Sequence, residues 1–520
     1  MESVTTPQPA EALPRAKHNA TSRQIRGSSL MLVGRAISMG VNFAVQVLIV
    51  RYLTKNDYGA FAFALSMVAL GESIATFGLD RAVTRFLPIY QERREYDKLF
   101  GTIFLVVGTI VGIGAGMILL LYAFQGFVLE SGFIGDQLAL SLTLILVFLA
   151  PVQSLDDLIV GMFAVFASPR SIFFRKYILA PGLKLAVVLV LIFGQAGIFF
   201  LAGGYLAAGA IGVGLYSFIL FNVLRKQGLF QHFNLRALNI PWREIFVFTI
   251  PLMTSDLVYI LMNSSDAVLL EHFRGNVDVA AFRAVQPAAG LNQLVVTSFQ
   301  LLFTPLAARM FARNDREGIN NLYWQTAVWM AVIAFPIFAL TFSLAQPLTV
   351  LLFQQRYADS AIILALLSFG YYFSTALGFN GLTLKVFGKV RYIVVINILA
   401  ALVNLGINLL LIPRYGALGA AIGTCGTMVA HNIFKQLGLL FGTGINLFEM
   451  RHLKVYVIIA LSTIGLLLIQ QTTSANIYIG IALAALVSLL VLALTRKSLA
   501  IGQTFPELLR FPLMRRLFGE

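Results

Sequence analysis

Arg51-Tyr52-Leu53-Thr54-Lys55-Asn56-Asp57-Tyr58-Gly59 is a short polar hairpin between two apolar segments, and the stretch around it, Ser28 to Gln91, decides the fold. Each flanking segment has about 22 residues, enough to cross a bilayer as a helix. The second segment ends in Gly78-Leu79-Asp80-Arg81-Ala82-Val83-Thr84-Arg85-Phe86-Leu87-Pro88. The first carries a polar stripe of Arg35, Ser38, Asn42 and Gln46. Steps of three and four residues put all four on one helix face. Lipid offers such a stripe no partners, so it is expected to face a shared interior.

The same pattern fills the chain. Of 520 residues, 58% are hydrophobic and 12% charged, about half the charge of an average soluble protein. Long apolar runs recur from end to end, which specifies an all-α polytopic membrane protein without room for a large soluble domain. The one cysteine, Cys425, lies in an apolar run. That excludes a disulfide framework and a thiolate metal site. Residues 1–26 are polar, contain Pro and carry Arg15, Lys17, Arg23 and Arg26. They read as a disordered cytoplasmic tail and not as a signal peptide.

Fourteen spans are expected, near 28–50, 58–79, 99–123, 138–167, 172–193, 198–222, 244–267, 277–302, 320–344, 360–384, 392–412, 416–440, 454–470 and 476–495. The loops test the count independently, because Lys and Arg collect on the cytoplasmic side. With the N-terminus inside, the inner segments hold 30 of the 38 basic residues and the outer loops 5; Arg35, Lys184 and Arg283 remain inside spans. A miscounted span would invert every later loop, and none inverts. Both termini are therefore expected in the cytoplasm. The net charge of +15 reads as an orientation signal at an anionic inner face, not as a nucleic-acid surface.

Shifted by 221 residues, the second half of the chain falls on the first. Tyr58-Gly59-Ala60-Phe61 meets Val279-Ala280-Ala281-Phe282, Asp57 meets Asp278, and Asn42 meets Asn263. Arg35 falls on Asp256 and Glu72 on Gln293. Six spans separate the copies, so they share one orientation, as in a parallel repeat about an axis along the membrane normal. The expected architecture is fourteen transmembrane helices in two parallel six-helix lobes plus two C-terminal helices. Its parts are a tail at 1–26, an N-terminal lobe at 27–240, a C-terminal lobe at 241–445, two added helices at 446–495 and a tail at 496–520. Two such lobes enclose a central cavity that can open to either side.

Two motifs in that order carry a resemblance. The first is Arg51-x-Leu53-x-x-x-Asp57-Tyr58-Gly59-x-Phe61 with Gly78-Leu79 and Arg85-Phe86. The second is Phe387-Gly388-Lys389, then Asn397, Asn404, Asn408 and Leu411-Ile412-Pro413-Arg414-Tyr415-Gly416-Ala417-Leu418-Gly419-Ala420-Ala421. Over nearly its whole length the chain resembles the Wzx-like polysaccharide and lipid-linked oligosaccharide flippases of the multidrug/oligosaccharidyl-lipid/polysaccharide exporter superfamily. The resemblance implies export of an undecaprenyl-pyrophosphate-linked glycan by alternating access. The partners it implies are that lipid-linked glycan, membrane lipids, a polysaccharide polymerase and chain-length machinery.

An amphiphilic pyrophosphate substrate needs cations, hydrogen-bonding groups and a gap to lipid. The candidate cations are Arg35, Lys184 and Arg283, and Arg suits phosphate because its planar fork donates two hydrogen bonds at once. The candidate hydrogen-bonding groups are Asn42, Gln46, Asn263, Gln286, Asn292 and Gln293. Each charge has a plainer reading. Arg35 and Glu72 lie at similar depth and would form a structural ion pair, as would Lys184 with Asp156 or Asp157. Adjacent Asp residues point in different directions on a helix, so one of them, or Asp256, could carry a coupling proton. Arg283 has no obvious partner within its own helix and is the leading phosphate contact. The expected driving force is a proton or sodium gradient, with no cofactor.

Gly108, Gly112 and Gly116, like Gly419 and Gly423, read as close helix-packing steps, and Pro151 and Pro251 as kinks. Phe86 to Phe100 reads as an amphipathic cytoplasmic connector. No nucleotide loop, metal cluster or triad spacing is present, so enzyme activity is not expected. The rival reading is a cation-coupled exporter of small drugs from the same superfamily. A membrane polymerase would want a large outer loop, and the longest one, Phe124 to Gln137, has about 14 residues.

Overall fold

The computed structural model describes residues 13–166, 169–473 and 476–499, with side chains from 33 onward except at 169–170, 235, 251–259, 261–263, 301 and 473. All regular structure among them is helical. The first lobe contains α1 (Leu13–Tyr52), α2 (Lys55–Thr76), α3 (Leu79–Glu92), α4 (Tyr96–Ala123), α5 (Gln125–Glu130), α6 (Gln137–Leu146), α7 (Leu149–Phe166), α8 (Pro169–Phe173), α9 (Ala180–Phe193) and α10 (Ile198–Lys226). The second contains α11 (Trp242–Arg274), α12 (Asn276–Ala289), α13 (Gln293–Ala312), α14 (Arg316–Phe338), α15 (Ala345–Phe353), α16 (Ala361–Ala376), α17 (Asn380–Val386), α18 (Val390–Tyr415) and α19 (Ala417–Thr443). The added pair is α20 (Leu453–Thr473) and α21 (Ile477–Leu499).

Among the described residues, 12 helical segments are long and apolar enough to cross a membrane, and a pair bent by 45°, Asn276–Gln300 with Leu302–Ala312, brings the number to 13. The 33-residue α11 stands at the remaining expected span. The internal repeat is visible in the packing. Helix α1 lies on α9 as α11 lies on α18; α7 on α10 as α16 on α19; α3 on α4 as α13 on α14.

The hairpin of the opening stretch forms for local reasons. Thr54 caps α2: its hydroxyl oxygen accepts from the Asp57 N–H at 3.1 Å, the N-cap bond, and its O–H donates to the Asp57 carboxylate at 2.7 Å. At the other end of α2, Phe77 and Gly78 adopt left-handed φ angles of 51° and 68°. The chain then continues as the amphipathic helix α3, which buries Leu79, Ala82, Val83, Phe86, Leu87 and Tyr90 and exposes Arg81, Thr84 and Arg85. The expected connector at Phe86 is therefore helical, and its helix begins at Leu79.

The two lobes are closed on each other at the hairpin end. Repeat-equivalent segments of α2 and α12 pack face to face, and a Cβ built on Gly59 would collide with the Asn276 carbonyl. Around them, one core joins Tyr58, Phe61 and Phe63 to Phe282, Val285, Phe353 and Tyr357. Arg356 Nη2 donates to the carbonyls of Val50 and Arg51 at 2.7 and 2.8 Å, and Arg51 Nη2 donates to the Leu351 carbonyl at 2.8 Å. Each arginine thus satisfies carbonyls left open at the C-terminus of a helix in the other lobe. Lys55 pairs with Asp359 at 2.9 Å. On another side of this end, Glu271 accepts from the N–H groups of Gly135 and Asp136 at 2.9 and 3.1 Å.

At the opposite end the lobes meet along the first half of α11. Tyr90 donates to Glu244 at 3.0 Å, the Arg85 guanidinium lies 4.3 Å from the Phe248 ring centre, and Phe77 meets Phe246 edge-on. Two glycine expectations separate here. A Cβ on Gly419 or Gly423 would strike the Leu411 carbonyl or the Asn408 side chain, as expected of close α18–α19 packing. Gly108, Gly112 and Gly116 have open space beside them; the glycines of α4 that pack are Gly101, against the Asn239 carbonyl, and Gly114, against Pro151. Pro151 sits in the first turn of α7, where its missing N–H costs nothing, and the break lies before it at Val147–Phe148. The side chain of Pro251 lies outside those described.

Gly59→Val should therefore destabilise the closed hairpin end by about 1–3 kcal/mol, the usual cost of overpacking. Thermal unfolding of the purified protein should show a lowered midpoint, and an unchanged midpoint would mean that the α2–α12 approach is slack.

Candidate substrate cavity and intramembrane charge clusters

Below the closed end lies a cavity of about 320 Å³ between the lobes. The first lobe contributes Gln46 from α1 and Tyr58 and Ser66 from α2; the second contributes Ser264 from α11 and Arg283, Gln286 and Pro287 from α12. Gln46 donates to the Tyr58 hydroxyl. Arg283 Nη1 donates to Gln286 Oε1 at 2.8 Å. The expectation that Arg283 lacks a partner in its own helix is corrected by this contact: three residues along a helix brings Gln286 alongside. Its charge is also felt by Asp266 and Tyr58. A cation flanked by amide and hydroxyl groups, with one wall from each lobe, can receive an anionic group bearing hydroxyls.

Behind Arg283 the second lobe holds a buried oxygen-rich cluster. Asp266 of α11 accepts from Asn408 Nδ2 at 2.5 Å and from Thr424 Oγ1 at 2.9 Å. Asn408 in turn donates to Asn404 Oδ1 at 3.2 Å, and Asn404 to Thr427 at 3.4 Å. Asn408 Oδ1 is buried with no hydrogen-bond partner among the described residues. One carboxylate with amide and hydroxyl oxygens suits a proton or a monovalent hard cation rather than zinc or a high-affinity calcium site. Among the described residues, no group of three His, Cys, Asp or Glu side chains is placed to hold a metal. In the sequence, Asn404 and Asn408 stood out only as motif residues, and Asp266 drew no attention at all. The i, i+4 spacing of the two asparagines on an apolar helix was the available signal.

The first lobe gathers a separate set of charges. Asp156 of α7 pairs with Arg175, which is 3% exposed and lies in the π-helical turn Phe174–Leu179. Sequence reasoning assigned Arg175 to a cytoplasmic loop because it stands near a span boundary. Helical continuation carries it into the lobe, so the carboxylate expected to pair with Lys184 has Arg175 instead. Lys184 lies 5.6 Å from the Tyr205 ring centre and shares with Asp156, Arg175 and Gln153 a pocket of about 90 Å³. Glu72 and Asp157 are hydrogen-bonded neighbours, and Glu72 also feels Lys184 and Asp156.

The expected Arg35–Glu72 pair is thus absent. Arg35 is exposed on the part of α1 that packs against α8 and α9, where Gly34 touches Phe173 and Tyr177. Asn42 is exposed and donates to Ser38 at its carbonyl and hydroxyl, 2.8 and 3.2 Å away. Gln293 is exposed at the start of α13 and Asn292 is buried beside it, neither of them lining the Arg283 cavity. The side chains of Asp256 and Asn263 lie outside those described. Of the candidates, Arg283, Gln46 and Gln286 share the cavity, while Lys184, Asp156, Asp157 and Glu72 collect in the first lobe.

A family model described as "Polysaccharide biosynthesis protein" matches residues 25–311, more than half of the chain. The chain belongs to the polysaccharide biosynthesis protein family. A second model, MatE, matches residues 251–410. Relatives of this family member include the uncharacterized membrane protein MJ1068 of Methanocaldococcus jannaschii, 22% identical over 77% of this chain and 81% of that protein. Another is the capsular polysaccharide biosynthesis protein CapF of Staphylococcus aureus, 27% identical over 39% of this chain and 52% of that protein. Among solved structures, lipid II flippase MurJ in an inward closed conformation superposes with a TM-score of 0.70 at 15% identity, covering 92% of this chain and all of that one. An inward-facing multidrug resistance MATE family transporter gives 0.60 at 15% identity over 78% and 93%. These likenesses carry the fold. The family and the apolar helices place the chain among multi-pass membrane proteins of polysaccharide biosynthesis.

The Arg175–Asp156 contact permits a direct test. Arg175→Met leaves the half-buried Asp156 carboxylate without its partner and should cost about 1–3 kcal/mol. The double variant Arg175→Met/Asp156→Asn should recover part of that loss in thermal unfolding. A double variant as unstable as the sum of the singles would show that the two residues do not act as a pair.

Proposed function

We propose that this protein is a flippase that moves an undecaprenyl-pyrophosphate-linked oligosaccharide from the inner to the outer leaflet of a bacterial inner membrane by alternating access, in the biosynthesis of O-antigen, capsule or exopolysaccharide. The observation that carries this reading is the cavity below the closed hairpin end, with Arg283 on its wall and both lobes lining it. The pyrophosphate meets Arg283, whose fork suits two phosphate oxygens. Gln46, Gln286 and Tyr58 offer donors and acceptors to the glycan. Arg35, Asn42, Asn263 and Gln293 remain candidate contacts along the approach from the other end. The distribution of Lys and Arg supports both termini in the cytoplasm, which makes the hairpin end the outer one. A polysaccharide polymerase and chain-length machinery would then receive the product.

Asp266 with Asn404, Asn408 and Thr424 would take a proton or sodium ion next to Arg283, so that loading of one site changes the field at the other. Glu72, Asp156, Asp157 and Asp256 are the alternatives in proton coupling. A cation-coupled multidrug exporter is the second reading. The MatE match over 251–410 favours it, as does the carboxylate at Asp266.

Deletion of the gene should trap lipid-linked glycan on the cytoplasmic leaflet. Normal surface glycan in a strain without a redundant exporter would reject the flippase reading. Arg283→Ala should abolish complementation of that strain, while Arg283→Lys retains part of it because charge remains without the fork. Full activity in the Ala variant would remove Arg283 from the site. Asp266→Asn keeps shape but not charge and should make export insensitive to collapse of the proton and sodium gradients; unchanged sensitivity would move coupling to the first lobe.

A further inference from the structure

The seam that closes the hairpin end is built mainly from cations. Arg51, Lys55 and Arg356 converge there, and Asp359 supplies a carboxylate to Lys55 at 2.9 Å through both its oxygens. Asp57 is taken by Thr54. Among the described residues, the two arginines donate to neutral main-chain carbonyls: Arg51 to Leu351, and Arg356 to Val50 and Arg51. A guanidinium binds a carbonyl less strongly than it binds a phosphate, which offers full charge and two acceptors in the fork geometry. The Lys55 side chain is 19% exposed. Arg51 and Arg356 are exposed, and the Asp359 side chain is 62% exposed.

A polar track connects this seam to the cavity. The Tyr357 ring lies between Lys55, 5.0 Å from its centre, and Arg356, at 5.7 Å. Tyr357 is fully buried, and its hydroxyl has no hydrogen-bond partner among the described residues. Tyr357 shares a core with Tyr58 of the cavity wall, whose hydroxyl accepts from Gln46. Lys55 and Tyr58 are three residues apart on one helix, and Gln46 and Val50 four apart on another, so cavity and seam are separated by about one helical turn.

We propose that this seam is a latch opened by anion exchange: a diphosphate arriving from the cavity takes Arg51, Lys55 and Arg356 from their carbonyl and Asp359 partners. The cations that hold the hairpin end shut then become the release site for the same anionic group. The freed carbonyls of α1 and α15 pass to water, which satisfies them as it does at any open helix end. The inference rests on the flippase reading for the identity of the anion, but its mechanism needs only a diphosphate.

The test places spin labels on Glu130 and Gln355, exposed positions of the two lobes at this end. The full chain carries Cys425→Ser, with both positions changed to cysteine, in lipid nanodiscs, and the probe is inorganic pyrophosphate. Pulsed electron-electron resonance should show a short distance alone and a several-fold rise of a longer one with pyrophosphate, but not with chloride at equal ionic strength. Arg51→Gln/Arg356→Gln should occupy the longer state without ligand and stop responding. Should that variant fail to fold, Asp359→Asn should respond at lower pyrophosphate concentration than the unsubstituted seam. Wild-type protein that stays at the short distance in pyrophosphate overturns the latch, as does a response unaltered by either variant. Trapped glycan in the deletion strain alongside an unresponsive seam would sink the latch alone. Normal surface glycan alongside a responsive seam would sink the flippase reading and keep the latch.

Discussion

The fold turns on a contact where a side chain is missing. Gly59 lets the start of α2 reach the Asn276 carbonyl at the start of α12, and that approach brings the two repeats together at one end. Packing in a membrane gains little from hydrophobic burial, because lipid tails are as apolar as leucine; shape complementarity and hydrogen bonds must hold helices together. Here both are present. The close backbone approach supplies the shape, and Arg51 and Arg356 supply donors to carbonyls that water would otherwise have to reach. With that end closed, the wall groups Gln46, Tyr58, Arg283 and Gln286 converge.

Intramembrane charges are distributed unevenly in a way that simple pairing rules do not anticipate. The first lobe satisfies its charges among themselves, with Asp156 against Arg175 and Glu72 beside Asp157 and Lys184. The second lobe dilutes its carboxylate among neutral donors, Asn408 and Thr424, and holds Arg283 at the boundary with the first. A desolvated ion pair resists exchange because removing either partner strands the other. A carboxylate held by neutral groups can gain a cation without breaking an ion pair. The second lobe is therefore the better suited to a changing occupant, although the repeat gives both lobes the same helical frame.

Much of this architecture was legible in the chain. Apolar runs gave the spans, the loop charges checked their number, and the 221-residue shift gave the two lobes, because these signals are local or periodic. Gln46 and Arg283 were placed toward a shared interior by helix-face reasoning, which needs only spacing. What failed was partner assignment across helices. Depth along the membrane suggested Arg35 for Glu72, but depth says nothing of azimuth: Arg35 is exposed, and Glu72 has Asp157 beside it. Arg175 was misread because a basic residue near a span boundary looks like a loop residue until the helix is seen to continue. Asp266 was missed because its partners lie about 140 and 160 residues away on α18 and α19. Sequence periodicity carries no information about such distant neighbours.

Helix α11 has a divided allegiance. By repeat it belongs to the second lobe, where Asp266 sits, yet its first half is fastened to the first lobe by Tyr90, Phe77 and Arg85. A single 33-residue rod that meets the first lobe at Glu244 and again at Glu271, with Asp266 bonded to α18 and α19 between them, acts as a lever: any change in the angle between the bodies loads it at Asp266. Occupancy of that carboxylate and the tilt between the bodies are then thermodynamically linked, and linkage runs both ways. A group that bound at Asp266 would bias the tilt by the same factor by which the tilt altered its affinity.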